Sequence, residues 1–138
     1  MRRNKMSSFE AGYEVEWGDC DEAGIVFYPN YFYWLDSTFQ KFLRARELGQ
    51  RQLMAQYGAV TPLVDVGLKF RSPVRYDQAI RILAEIDEWG ERKFRICYRI
   101  FNAETLVAEG HEQRAWAIMV DGILKGAAIP EDFRRRME

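Results

Sequence analysis

Apolar side chains alternate with polar or small ones in several separate stretches of the chain. From Phe9 to Trp17 the apolar residues fall on one side and the glutamates on the other, and this period of two predicts a half-buried strand. The same pattern predicts further strands over 64–71, 80–86 and 94–100. A longer strand is predicted over 106–120, with a bulge where the alternation blurs at 110–112. Asp121-Gly122 predicts a hairpin into a short last strand.

The spacing of apolar residues changes to three and four between Asn30 and Glu47, which predicts a long helix that begins just after Pro29. The apolar residues of this helix cover more than one stripe, so we expect the strands to wrap around it. A shorter helix is predicted over 50–57, ending at Gly58. The tail over 131–138 predicts a terminal helical turn whose basic patch is solvated.

One strand, one long helix and then a run of antiparallel strands is an α+β order. The length of 138 residues predicts one domain spanning 1–138. With 20 basic and 21 acidic residues the net charge is −1, so no overall field draws the chain to nucleic acid or to a membrane. No apolar run approaches the ~20 residues of a membrane span. The basic start lacks the apolar region of a secretory signal, and two cysteines without a disulfide framework favour the cytoplasm.

Candidate chemistry concentrates in residues 18–36, which read GDCDEAGIVFYPNYFYWLD and contain no lysine or arginine. The only histidine, His111, lies far along the chain, and no serine stands in a GxSxG context, so a Ser–His–Asp triad is not indicated. Asp19, Cys20 and Asp21 are poor metal ligands together, because adjacent residues of a turn seldom converge on one ion. We expect no metal and no cofactor.

The remaining possibility is a carboxylate acting beside a helix N-terminus. The first N–H groups of a helix have no internal acceptor, and they can stabilise the oxyanion of an ester or thioester. A carboxylate of the 19–24 loop can then act as general base or as nucleophile, so we expect it to share one cleft with the helix start. The alternative is that the acidic turn only stabilises the beginning of the helix, as Asp commonly does.

Asp36 is a second candidate, since no basic residue lies within helical reach of it. Its neighbours at three, four and seven positions are Phe32, Phe39, Gln40 and Leu43. A carboxylate in this setting either lines a pocket or accepts a hydrogen bond from another element. The residues alone leave both readings open.

The whole stretch from Gly18 to Asp36 resembles the signature of the 4-hydroxybenzoyl-CoA thioesterase family, a branch of the hotdog-fold thioesterases. By position, the resemblance makes Asp21 the catalytic carboxylate and Tyr28 the residue whose backbone N–H polarises the thioester carbonyl. It places Asp36 and Thr61 at the acyl pocket. Basic residues near the central hairpin and late strands meet the CoA phosphates in this family, and the candidates here are Arg92, Lys93 and Arg114.

The resemblance implies a hotdog fold, in which a curved antiparallel sheet of five or six strands wraps a long central helix. It implies an acyl-CoA thioesterase that hydrolyses an aromatic or small acyl-CoA to the free acid and CoA. Family members are homo-oligomers, dimers or often tetramers, with active sites at the subunit interface. The family needs neither metal nor cofactor.

Two departures from the family pattern bear on the substrate and on the loop. Glu22 replaces the proline common after the catalytic acid, which alters loop rigidity. Relatives acting on short aliphatic acyl-CoAs commonly carry a histidine at the position of Pro29, so its absence favours an aromatic acyl group.

Three alternatives stay open at the level of sequence. A non-catalytic hotdog domain that binds or senses acyl-CoA would carry the same fold. Another thioesterase branch places its catalytic acid on the helix, where Asp36 lies. A hotdog dehydratase pairs an acid with a histidine, but His111 has no suitable neighbourhood for that role.

Overall fold

A five-stranded antiparallel sheet curves around one long helix in the computed structural model, which describes residues 7–138. The strands are β1 (Ser8–Glu14), β2 (Ala59–Val60), β3 (Leu63–Phe70), β4 (Ala79–Trp89), β5 (Lys93–Asn102), β6 (Thr105–Ala115), β7 (Ala117–Val120) and β8 (Ile123–Gly126). The helices are α1 (Pro29–Ala45), α2 (Gln50–Tyr57) and α3 (Glu131–Met137). The main sheet has the order β1-β4-β5-β6-β3, and a second sheet has the order β2-β7-β8. This arrangement confirms the α+β hotdog prediction, with five strands in the main sheet.

Helix α1 is the centre of the core, because its aromatic rings pack against rings from three strands of the main sheet, β1, β3 and β5. Leu35, Phe39, Phe42 and Leu43 are fully buried, and each such side chain contributes about 1.5–3 kcal/mol of burial free energy. Pro29 takes the first helical position, where its missing N–H is not needed. The helix begins one residue earlier than predicted and ends at Ala45.

Strands β4 and β5 form the floor beneath the helix, and their pairing explains the alternation in the sequence. Ile82 pairs with Ile100 and Ala84 with Tyr98, and all four side chains are buried. Their neighbours along each strand face outward. None of the helices within residues 7–138 is long and apolar enough to cross a membrane. The basic N-terminal stretch, considered above as a possible signal, begins outside the described residues.

Two predicted strands end earlier than expected. The first strand stops at Glu14, and Trp17, assigned to its buried side, is 76% exposed in a short 3-10 turn over Trp17–Asp19. The strand over 106–120 is two strands, β6 and β7, which separate at the buried Trp116 and join different sheets.

The predicted bulge at 110–112 is absent, because β6 pairs with both β3 and β5 through these residues without a register shift. The alternation blurs there for another reason: Glu112 is a charged residue in a buried position.

The chain terminus is also packed more closely than predicted. The last helix buries Phe133 and Met137 completely, so it belongs to the core, and the basic patch of the tail is only partly solvated. Arg134 donates to the carbonyl oxygen of Gly90, across the molecule. The hairpin prediction at Asp121-Gly122 is confirmed, since both residues take positive φ, 50° and 78°, as a two-residue turn between β7 and β8 requires.

Candidate active site

The acidic loop before α1 is a small hairpin fastened to the helix start. The N–H of Asp21 donates to the carbonyl oxygen of Ile25 at 2.9 Å, and the N–H of Phe27 donates to that of Asp19, also at 2.9 Å. The Asn30 side chain donates to the same Asp19 oxygen at 2.8 Å. These bonds fix the loop relative to the first turn of the helix.

Asp21 projects from this hairpin with one carboxylate oxygen available. Its Oδ1 accepts the N–H of Ala23 at 2.9 Å, whereas Oδ2 has no hydrogen-bond partner within residues 7–138. The side chain is exposed at a recess of about 540 Å³, lined by Trp17, Cys20, Asp21, Glu22, Gly24, Phe27 and Tyr76. A solvent-facing carboxylate with a free oxygen can take a proton from water or attack an electrophile.

The first turn of α1 leaves one backbone donor unused. Pro29 has no N–H, the N–H of Asn30 donates to the Phe27 carbonyl at 3.0 Å, and that of Tyr31 donates to the Tyr28 carbonyl at 3.1 Å. The N–H of Tyr28 has no acceptor in the described part of the chain. It therefore lies at the positive end of the helix dipole with its hydrogen free for a ligand oxygen.

The side chains of Asp21 and Tyr28 line two neighbouring recesses within one chain, rather than the single cleft expected from the sequence. Tyr28 lines a recess of about 400 Å³, together with Tyr31, Phe70 and Arg71. The N–H of Tyr28 belongs to the peptide bond that joins Tyr28 to Phe27, and Phe27 lines the Asp21 recess. The carboxylate and the backbone donor are therefore close along the chain, but their residues line separate recesses.

Tyr31 lines the second recess as a neutral phenol. Burial, with a smaller contribution from Cys20, raises the pKa of Tyr31 to about 12. Its hydroxyl therefore stays protonated at any ordinary pH, and Tyr31 contributes no charge to the recess.

A second cluster brings together Asp36, Thr61 and Arg114 from distant parts of the sequence. Arg114 Nη2 donates to Asp36 Oδ1 at 2.9 Å, and Nη1 donates to the Thr61 carbonyl oxygen at 3.0 Å. Of the two readings left open for Asp36, the hydrogen bond to another element is therefore present, while the Asp36 side chain stays 52% exposed.

Arg114 is placed differently from the expectation that it meets a CoA phosphate. Its side chain is 6% exposed, and all three guanidinium nitrogens donate to protein oxygens. The alternation of β6 directs this residue toward the core, so it does not face solvent where a phosphate would bind.

Arg92 and Lys93, the other two predicted phosphate contacts, lie next to each other where the turn after β4 leads into β5. Both side chains are exposed, and the backbone there is fixed by the N–H of Trp116 donating to the Arg92 carbonyl at 2.8 Å. They are brought together with each other, but they line neither of the two recesses by the acidic loop.

Sequence reasoning missed the residues that reach the acidic loop from the segment before β4. Ile25 bridges to Arg75, and a Cβ added at Gly24 would lie 3.8 Å from Arg75 Nη1, so a cation does stand beside the loop. The exposed rings of Trp17 and Tyr76 meet edge to face at 5.3 Å on the rim of the Asp21 recess. No local spacing signals these contacts, because they depend on long-range pairing.

Comparisons with known proteins agree with this architecture. Residues 15–137 match the model of the thioesterase-like superfamily. The chain is 31% identical over 126 residues to the 4-hydroxybenzoyl-CoA thioesterase of Pseudomonas sp. (strain CBS-3), covering 86% of this chain and 89% of that protein.

Solved structures give the same result. The crystal structure of the same Pseudomonas enzyme superposes with a TM-score of 0.85 at 30% identity, covering 94% of this chain and 98% of that one. A gentisyl-coenzyme A thioesterase superposes with a TM-score of 0.81 at 29% identity, covering 91% and 99%. The chain therefore belongs to the thioesterase-like superfamily and, within it, to the hotdog-fold 4-hydroxybenzoyl-CoA thioesterase family.

Proposed function

We propose that this chain is a thioester hydrolase that cleaves an aromatic acyl-CoA to the free acid and CoA. The observation that carries the proposal is an exposed Asp21 carboxylate with one oxygen unpaired among the described residues, seven positions before a helix start at which the N–H of Tyr28 also has no acceptor there. Family membership supports the reaction class, and relatives named for 4-hydroxybenzoyl and gentisyl thioesters support an aromatic acyl group.

The chemistry follows from these two groups. The thioester carbonyl oxygen accepts the N–H of Tyr28, which stabilises negative charge as the tetrahedral intermediate forms. Asp21 either takes a proton from the attacking water or attacks the carbonyl carbon itself to form an anhydride that water then opens. In both routes the carbon–sulfur bond breaks, CoA leaves as the thiolate and is protonated, and the acid is released.

Asp36 and Thr61 are proposed to line the acyl pocket and to receive a hydroxyl on the aromatic ring. Asp36 follows Tyr28 by about 12 Å along the helix axis, at roughly 1.5 Å per residue. This separation exceeds the reach of one benzoyl ring within a single chain. We therefore propose a homo-oligomer in which a second copy completes each site, with Arg92 and Lys93 holding the CoA phosphates.

The experiment that tests the proposed function is the replacement Asp21→Asn. The amide keeps the shape of the side chain but can neither accept a proton nor attack, so we expect turnover to fall about 10³-fold or more while acyl-CoA binding is retained. Free thiol released from 4-hydroxybenzoyl-CoA measures turnover, and calorimetry measures binding.

Asp77→Asn is the matched control. Asp77 is an exposed carboxylate in a turn at φ 71°, a conformation that Asn tolerates, so this variant should keep normal turnover. Normal turnover by the Asp21 variant would remove Asp21 from the mechanism. A wild-type protein that binds aromatic acyl-CoA but releases no thiol would instead favour the non-catalytic binding domain.

A further inference from the structure

A buried arginine joins three segments of the chain behind the exposed Asp36 carboxylate. Arg114, on β6, donates to Asp36 on α1 and to the carbonyl oxygen of Thr61 in the connection between β2 and β3. The two residues assigned to the acyl pocket are thus held by the two terminal nitrogens of one planar guanidinium. Because the guanidinium is rigid, the distance between its two acceptors is fixed as well.

The arginine is itself held from behind by a buried acid and a buried phenol. Glu112 accepts from Arg114 Nε at 3.0 Å and from Nη2 at 3.1 Å, and it accepts from the Tyr98 hydroxyl at 2.7 Å. Glu112 and Tyr98 are each 1% exposed. On its other side the guanidinium carbon lies 4.5 Å from the centre of the Phe39 ring. Arg114 therefore has little freedom to move.

The two donors of this network, Tyr98 and Arg114, keep their protons across ordinary pH. Burial first, and then the charge of Glu112, raises the pKa of Tyr98 well above its usual range, so the phenol remains a donor. Burial opposes the charge on Arg114, but Glu112, followed by Tyr98 and Asp36, outweighs it, so the pKa of Arg114 is raised. The buried Glu112 and Arg114 form a neutral pair, and the charge of Asp36 is additional to it.

Two polar atoms beside the arginine lack partners. Asp36 Oδ1 accepts both Arg114 and the side-chain amide of Gln40, at 3.3 Å, whereas Oδ2 accepts from nothing between residues 7 and 138. Thr61 Oγ1 is buried and has no hydrogen-bond partner among the same residues. Buried polar atoms are normally satisfied, so the Thr61 hydroxyl is an exception. Asp36 Oδ2 lies on an exposed side chain and is open to a donor on a ligand.

We propose that Arg114 is a positioning residue which sets the preference of this enzyme for acyl groups that carry a ring hydroxyl, acting through Asp36 and Thr61. The inference rests on the proposed function, in which these two residues line the acyl pocket. A ring hydroxyl can donate to the exposed oxygen of the Asp36 carboxylate, which Arg114 holds by its other oxygen. Without the Arg114 guanidinium, only the exposed Gln40 amide, at 3.3 Å, would hold the Asp36 carboxylate in place.

The test compares the kcat/KM ratio for 4-hydroxybenzoyl-CoA over benzoyl-CoA in four proteins: the wild type, Asp36→Asn, Arg114→Lys and the double variant. Arg114→Lys keeps the buried charge, and the protein should fold, but a single ammonium cannot span Glu112, Asp36 and Thr61. We expect each single substitution to lower the ratio about 10-fold to 100-fold, the range of one hydrogen bond to a charged group. The double variant should lower it no further than Asp36→Asn alone, because both act through one carboxylate.

Arg81→Lys is the matched control, since Arg81 is an exposed arginine on β4 that pairs with the exposed Glu10 at 2.7 Å. The kcat/KM ratio of this variant should equal that of the wild type. An effect of Arg114→Lys can then be assigned to Arg114 itself and not to the loss of any guanidinium. If Arg114→Lys does not fold, Glu112→Gln combined with Arg114→Gln removes both buried charges together and provides the same comparison.

Two results would overturn the positioning role. One is an Arg114 variant that keeps the wild-type ratio while Asp36→Asn loses it. The other is a double variant whose loss is the product of the two single losses, which indicates independent effects. A wild-type protein that hydrolyses neither ester would instead refute the proposed function, so the two failures are distinguishable.

Discussion

Gly110 on β6 pairs with Leu68 on β3, and the structure leaves no room for a side chain at this position. A Cβ added at this position would stand 2.0 Å from the Gly67 carbonyl oxygen and 2.8 Å from Leu68 Cδ2. The first of these is a backbone atom, which cannot move aside without displacing β3. The glycine therefore sets the spacing of the two strands that lead to Thr61 and Arg114.

Gly110→Ala should lower the free energy of unfolding by about 3 kcal/mol or more, the upper part of the range for overpacked sites, because backbone and not a side chain must yield. Urea denaturation measures the change. Gly126→Ala is the control: nothing lies within 4 Å of a Cβ there, so stability should stay within about 0.5 kcal/mol or rise slightly. Equal stability for the two alanine variants would show that the strands can separate freely at Gly110.

At the scale of elements, α3 closes one end of the core. Phe133 is fully buried, with its ring centroid 4.7 Å from that of Trp116 and 6.0 Å from those of Trp89 and Phe94. The helix spans only Glu131–Met137, too short to be stable by itself, so tertiary packing of this aromatic cluster holds it in place.

Phe133→Ala should therefore lower the free energy of unfolding by about 3–5 kcal/mol, the cost of removing a buried aromatic ring and leaving a cavity. Arg135→Ala, which changes a side chain 67% exposed on the same helix, should cost less than about 0.5 kcal/mol. Thermal and urea denaturation measure both. A small loss for the phenylalanine variant would mean that the terminal helix is solvated, as its composition suggested.

The elements that could be predicted from the sequence are those whose pattern is local. The helix over 50–57 and the hairpin at Asp121-Gly122 were predicted correctly because caps and turns act over a few residues. The role of α3 and the break at Trp116 were missed, because both depend on which distant surface covers an aromatic residue. In the same way, Asp21 and Tyr28 could be proposed as site residues from one contiguous stretch, whereas the arginine that binds Asp36 comes from β6.

For the whole molecule, the edges of the main sheet, β1 and β3, are candidate surfaces for contact between copies of the chain. Strand β3 pairs only with β6 in the described part of the chain, so its other edge presents free backbone groups. Leu63, Val64 and Phe70 are each close to half exposed along it. Exposed apolar edges of this kind are normally covered, and a second chain is one way to cover them.

We expect the protein to be a homo-oligomer joined along this edge, and Val64→Lys to dissociate it, because the substitution places a charge in an apolar contact. Thioesterase activity should fall as the oligomer dissociates, since the proposed site needs a second copy. Sedimentation equilibrium and thiol release, measured at the same protein concentrations, report the two quantities. Ile123→Lys, which adds the same charge at a residue 62% exposed on β8, should change neither. A monomer that keeps full activity would contradict the shared site. An unchanged molecular mass for Val64→Lys would show that the interface does not involve β3.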